Sequence, residues 1–278
     1  MVDLHSHTDR SDGALSPAKL VGLARDIGLS ALGITDHDTL QGYDEAASLD
    51  GERGLDLVCG VELSAKYDGT QIHILGYFLD KPPGEEFRRR LDELAESRRE
   101  RNEELAEKLR GFGLEIELAE VAALGRGQTG RPHFARMLIQ KGYVADYHEA
   151  FERYLDQSAP GFVPRREPSL EIVLESIRQA GGISSWAHPG RFLRASERSM
   201  EAHFAELRER GMAAIEAYHT DHNPDECQRI RRAAESVGMA LTGGSDFHEP
   251  RPGGPMLGGL SLPDSLLEAL RSTPRSTN

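Results

Sequence analysis

Met-Val-Asp-Leu-His-Ser-His at residues 1–7 and Ala-Leu-Gly-Ile-Thr-Asp-His-Asp at residues 31–38 are two short apolar runs, each ending in imidazoles and carboxylates. Between them lies a helix signal: Ser16 as N-cap, Pro17 in the first turn, an apolar stripe through Leu20, Leu23 and Ala24, and Gly28 to close it. Strand, helix, strand is a βαβ unit. Further strand-like runs follow at Leu57–Leu63, Ile72–Phe78, Ile183–Trp186, Ala214–Tyr218 and Met239–Leu241. Strands alternating with helices predict a parallel sheet covered by helices, and seven of them favour a distorted (β/α)7 barrel over an open sheet.

The rhythm breaks in the middle. After Lys81-Pro82-Pro83-Gly84, residues 85–110 read as a helix carrying 9 acids and 8 bases, followed by Gly-rich 125–130 and helical stretches at 132–141 and 146–156. Residues 82–165 are therefore expected to be an α-helical insertion, a substrate cap, in a barrel built from 1–81 and 166–278. No internal repeat is visible, and the tail 272–278 is expected to fray.

The 278 residues contain 33 Lys+Arg and 46 Asp+Glu, a net charge of −13, with 38% hydrophobic residues. That content supports a sizeable core and excludes disorder. The charge excludes broad electrostatic binding to duplex nucleic acid or an anionic membrane. The first 81 residues alone hold 14 acids against 6 bases, and the first histidines sit among them. Cys59 and Cys227 are too few for a disulfide framework or a thiolate zinc site. With no signal peptide visible and no apolar run approaching about 20 residues, a cytoplasmic location is the expectation. The oligomeric state is not set by these features.

Eleven histidines are the compositional oddity. His5 and His7, at i and i+2 where a strand ends, point the same way and can grip one cation, with Asp12 in the following loop. His37 ends the second strand, Glu62 the third, His73 enters the fourth, His188 follows the fifth, and Asp246 and His248 follow the last. In barrels of this kind the loops at that end converge on the active site. Any one of these could be a satisfied core histidine; the whole set is better read as ligands. Nine are too many for one ion and suit two or three. Nitrogen and oxygen donors without thiolate suit zinc, manganese or iron. Closely spaced cations of this kind generate hydroxide from a shared water for in-line attack on phosphorus, and Glu62 and Asp246 are the carboxylates expected to hold them.

The motifs H-S-H, T-D-H-D, G-V-E, H-P-G and S-D-F-H, in this order, resemble the PHP (polymerase and histidinol phosphatase) family of metal-dependent phosphoesterases. The resemblance implies a trinuclear centre: His5, His7, Glu62 and Asp246 on one ion, Glu62 bridging to a second bound by His73 and His188, and Asp12, His37 and His248 on the third.

Stepping along the insertion helix from Phe87 through Leu91 and Leu94 brings Arg98 and Arg101 onto an otherwise apolar stripe. Such arginines are either paired with acids or aimed into a cleft at an anion. Arg131 and His133, in Gly-Arg-Pro-His-Phe-Ala at 130–135, would flank a helix N-terminus. The resemblance to nucleotide-specific members makes Arg98, Arg101, Arg131 and His133 substrate contacts. Arg191 is expected as a phosphate clamp with a catalytic role, its alternative being a pairing with a surface carboxylate. His219 and His222 are expected at the rim, His222 as a substrate contact, and His148 and His203 at the surface. The implied substrate is a small nucleotide, most like the 3′-phosphate of nucleoside 3′,5′-bisphosphates, with 5′-to-3′ trimming of short oligoribonucleotides left open. Histidinol phosphate, or a non-catalytic metal-binding module, are the alternatives.

Overall fold

A computed structural model of the chain describes residues 1–49, 54–251 and 254–274. Seven strands form one sheet in sequence order: β1 Val2–Asp3, β2 Ala31–Ile34, β3 Asp56–Tyr67, β4 Thr70–Phe78, β5 Ile183–Trp186, β6 Ala214–His219 and β7 Ala240–Gly244. The helices are α1 Pro17–Asp26, α2 Gln41–Leu49, α3 Glu85–Gly111, α4 Leu118–Ala122, α5 Arg131–Gln140, α6 Tyr147–Ala150 running into a π-helical turn at Phe151–Leu155, α7 Leu170–Gln179, α8 Gly190–Ala195, α9 Met200–Glu209, α10 Pro224–Ser236 and α11 Ser265–Arg271. None of them is long and apolar enough to cross a membrane.

The sheet curls until its edges meet. Beyond β1, Leu4 N–H donates to Gly243 O at 3.2 Å, and beyond β7, Asp246 N–H donates to His5 O at 2.9 Å. A Cβ on Gly244 would lie 2.4 Å from that of His5, so glycine is what lets the two edges approach. The result is a nearly closed, distorted (β/α)7 barrel.

One expectation is corrected: the sheet is not wholly parallel. β3 and β4 form an antiparallel hairpin with no helix between them, and β4 also runs antiparallel to β5. Asp68 and Gly69 join the hairpin with φ of 47° and 74°, the pair of left-handed residues that a type I′ turn requires. β3 consequently continues past Glu62 to Tyr67, with Ser64 opposite His73. Reversing β4 brings its first half to the barrel end where the other strands finish, which is why His73 joins their side chains.

Between β4 and α7 the described residues contain helices and no strand. α3 has 27 residues, about 40 Å at 1.5 Å per residue. Its buried stripe changes chemistry along that length. Phe87 and Leu91 belong to the barrel core, Arg98 and Arg101 follow, and Leu105, Ala106 and Leu109 join a separate core with Phe134, Leu138 and Leu155. The helix thus ties the insertion to the barrel and presents two cations where it passes the barrel mouth. α4 was not foreseen.

One smaller expectation fails. His203 is buried, not superficial: it accepts and donates between Tyr67 Oη at 2.8 Å and Ser196 Oγ at 2.7 Å, whereas His148 is exposed. In the tail, Ser272 and Thr273 are hydrogen-bonded to the end of α11, and residues 275–278 lie outside the described residues.

Candidate metal centre and arginine cavity

All nine expected ligands converge at one end of the barrel. Glu62 is the hub: Oε1 lies 2.7 Å from His73 Nδ1 and 3.0 Å from His188 Nε2, while Oε2 lies 3.1 Å from His7 Nε2, 3.3 Å from His37 Nδ1 and 3.4 Å from His5 Nε2. Asp246 Oδ1 stands 3.3 Å from His5 Nε2 and 3.2 Å from His7 Nε2. Asp12 faces His248 Nε2 at 3.2 Å and His37 Nε2 at 3.6 Å. Among the described residues four overlapping groups have donor atoms close enough to share an ion: His5, His7, Glu62, Asp246; His7, Asp12, His37, His248; His37, Glu62, His73; and His5, Glu216, His219.

The donor atoms themselves fit cations. His5 Nε2, His7 Nε2, His37 Nδ1 and Asp246 Oδ1 are buried and have no hydrogen-bond partner, yet they face one another. Buried polar atoms seldom go unpaired, and lone pairs turned toward carboxylates are stabilised by a cation between them. Burial pulls the His37 pKa down to about 3, so one of its two ring nitrogens keeps a free lone pair near pH 7. Burial opposes the charge of Glu62, but the surrounding imidazoles, His73, His5 and His188 among them, hold its carboxyl well below the usual range. His188 and Asp246 both have left-handed backbones, φ 31° and 54°, an unfavourable conformation for non-glycine residues that here aims their side chains inward.

Beside this cluster opens a cavity of about 980 Å³, walled by His37, Glu62, His73 and His188 on one side and by Arg98, Arg101, Arg131 and Arg165 on another. Arg98 combines the two readings open at the sequence level: it lines the cavity and pairs with Asp38, Nε to Oδ2 at 3.1 Å. Arg165 Nη1 donates to the same oxygen at 2.7 Å. Burial alone would raise the Asp38 pKa; Arg98 and Arg165 overrule it and hold the carboxyl below its ordinary range. Arg101 makes no ion pair among the described residues, and its Nε donates to Asn102 Oδ1 at 3.0 Å. Burial, then the neighbouring Arg98, Arg131 and Arg165, depress its pKa. Arg131 is braced between the rings of Phe151 and Phe162, 6.0 and 5.7 Å from their centroids.

Other expected contacts are placed differently. His133 is buried off the cavity wall, where Nδ1 accepts from Gly130 N–H at 3.2 Å and closes the first turn of α5. His222 turns under α8, donating to Ala217 O at 3.2 Å and accepting from Gly190 N–H at 3.1 Å, so both its nitrogens serve the fold rather than a substrate. Arg191 stands at the cavity mouth, largely exposed, 3.6 Å from Asp221. That is the surface pairing, and it leaves Arg191 out of contact with the cluster. His219 is buried, not at the rim. Sequence reasoning missed Asp38, Arg165 and Glu216, and misplaced His219. A carboxylate inside the apolar run Ala-Ile-Glu-Ala-Tyr, 214–218, was the available signal for Glu216.

A family model described as the PHP domain matches residues 3–161. The chain is similar to a 5′-3′ exoribonuclease of Haemophilus influenzae, 34% identical with 89% of this chain and 90% of the relative covered. It is also similar to a 3′,5′-nucleoside bisphosphate phosphatase of Chromobacterium violaceum, 32% identical with 91% and 89% covered. Among solved structures, a protein of Bifidobacterium adolescentis assigned as a metal-dependent phosphoesterase superposes with a TM-score of 0.86 at 28% identity, covering 97% of this chain and 95% of that one.

Proposed function

The chain belongs to the PHP domain family and is a metal-dependent phosphoesterase; on that premise we propose that it removes the 3′-phosphate of nucleoside 3′,5′-bisphosphates. The observation that carries this reading is the arginine wall. Four guanidiniums border one cavity, and among the described residues the only carboxylate within ion-pair distance of them is Asp38, behind the wall, which pairs with Arg98 and Arg165. Asp156 and Glu167 line the cavity and act on Arg131 as counter-charges without an ion pair, and burial raises the Glu167 pKa. Like charges held together in a partly buried site call for an anion. The scissile phosphate belongs beside the nine ligands, so the arginines are left for a second phosphate on the same small molecule.

The nine ligands would hold two or three divalent ions of the manganese, iron or zinc type, which when bound neutralise phosphoryl oxygens and activate water. The protein's own groups do the positioning. Arg101 and Arg131 grip the 5′-phosphate, Asp38 keeps Arg98 and Arg165 extended into the cavity, and Phe151 and Phe162 stop Arg131 from swinging away. The insertion, residues 82–165, acts as the cap that supplies most of these contacts. A short 5′-phosphorylated oligoribonucleotide would enter with its terminal phosphate on the same arginines, in keeping with the exoribonuclease name of the H. influenzae relative.

Phosphate release from adenosine 3′,5′-bisphosphate, AMP and histidinol phosphate by the metal-loaded protein tests the proposal. The bisphosphate is expected to turn over fastest, with adenosine 5′-phosphate as product. Turnover of histidinol phosphate alone would refute it.

A further inference from the structure

We infer that β6 carries two positioning residues of the metal centre, Glu216 and His219, which set the hydrogen-bonding state of His5, His188 and Asp246 from behind. Neither touches the cavity. Glu216 is fully buried among Ala214, Ile215 and Ala217. A buried carboxylate is costly unless its oxygens are satisfied, and both are: Oε1 lies 2.9 Å from His5 Nδ1, and Oε2 accepts the His188 N–H at 2.7 Å.

The chemistry of the first contact fixes a tautomer. An ionised carboxylate only accepts, so His5 must carry its proton on Nδ1. The lone pair then sits on Nε2, which faces Glu62 and Asp246 at 3.4 and 3.3 Å. Without Glu216 the proton could move to Nε2 and block that position. The second contact holds the left-handed backbone of His188, whose side chain reaches Glu62. One carboxylate therefore orients ligands from both sides of the barrel.

His219 follows the same logic. Its Nδ1 accepts from the Asp221 N–H at 3.0 Å, so its ring N–H is on Nε2, which is buried without a hydrogen-bond partner and stands 3.5 Å from Asp246 Oδ2. That oxygen is the one turned away from the cluster. Oδ1 is left to the cations. A separate ion bound by His5, Glu216 and His219 is the rival reading, since their donor atoms also lie close together. His5 already turns Nε2 toward Glu62 and Asp246, so an ion on Nδ1 beside Glu216 would need the ring as a doubly deprotonated imidazolate.

This inference rests on the metal centre proposed above. The test is chelator competition for Mn²⁺ and Zn²⁺ alone with the wild type, Glu216→Gln, His219→Leu and His219→Gln, together with melting of each metal-free protein. Glu216→Gln and His219→Leu are expected to bind about 10- to 100-fold more weakly, as second-layer changes do at other metal sites. His219→Gln keeps a donor where Nε2 stands and is expected to retain affinity within about threefold. Affinities per folded molecule that match the wild type in Glu216→Gln and His219→Leu would overturn the inference, whatever happens to metal-free melting. So would equal losses in the two His219 variants, or the loss of one whole bound ion. A wild type that binds neither metal would instead overturn the metal centre itself.

Discussion

Glu62→Gln is expected to lower turnover by at least about 1,000-fold while leaving the metal-free fold intact. The physical reason is the hub geometry: two carboxylate oxygens serve five imidazoles within 3.4 Å. A glutamine offers one weak acceptor and an amide whose protons point at lone pairs. Metal-assisted stabilisation of a phosphoryl transition state is worth several kcal/mol, and each 1.36 kcal/mol is tenfold in rate. Metal analysis, circular dichroism and turnover on the same preparation check it. Turnover within tenfold of the wild type at full metal content would show that Glu62 is not the bridge.

Asp38→Asn is expected to cost about 3 kcal/mol of folding stability, read as a lower denaturant midpoint at unchanged slope. Asp38 is 1% exposed and shares Oδ2 between Arg98 and Arg165. Removing one partner of a buried ion pair leaves the others uncompensated, typically at about 3–5 kcal/mol. Water in the cavity eases this toward the lower figure. Asp38→Asn combined with Arg98→Met should recover part of the loss, because one stranded cation goes with the carboxylate. A single variant as stable as the wild type would mean that the arginines are already solvated and that Asp38 does not organise them.

The barrel was legible because strand–helix alternation leaves a period in the sequence, and the convergence of the nine candidate ligands was legible because nearly all of them end, enter or follow such a run. Strand direction was harder. Apolar runs at 57–63 and 72–78 look the same in parallel or antiparallel pairing; only Asp68-Gly69 between them marked the hairpin. Asp38 directly follows the assigned His37, but its partners lie 60 and 127 residues away, beyond any local pattern. His203 was misplaced for a related reason: its helix is charged overall, and burial depends on which face turns inward. His222 follows a strand as rim residues do, but its loop folds back beneath Gly190, where even a Cβ would meet the ring.

The central claim is that the arginine wall reads a second phosphate. It is tested most directly by kcat/KM for adenosine 3′,5′-bisphosphate relative to adenosine 3′-phosphate, in the wild type and in Arg101→Met. Both substrates offer the same scissile phosphate. Losing a charged hydrogen bond to the 5′-phosphate is worth about 1.5–3 kcal/mol, so the wild-type preference should fall by roughly 10- to 100-fold in the variant, with adenosine 3′-phosphate turnover little changed. A wild type that does not distinguish the two, or a preference that survives Arg101→Met intact, would contradict the account.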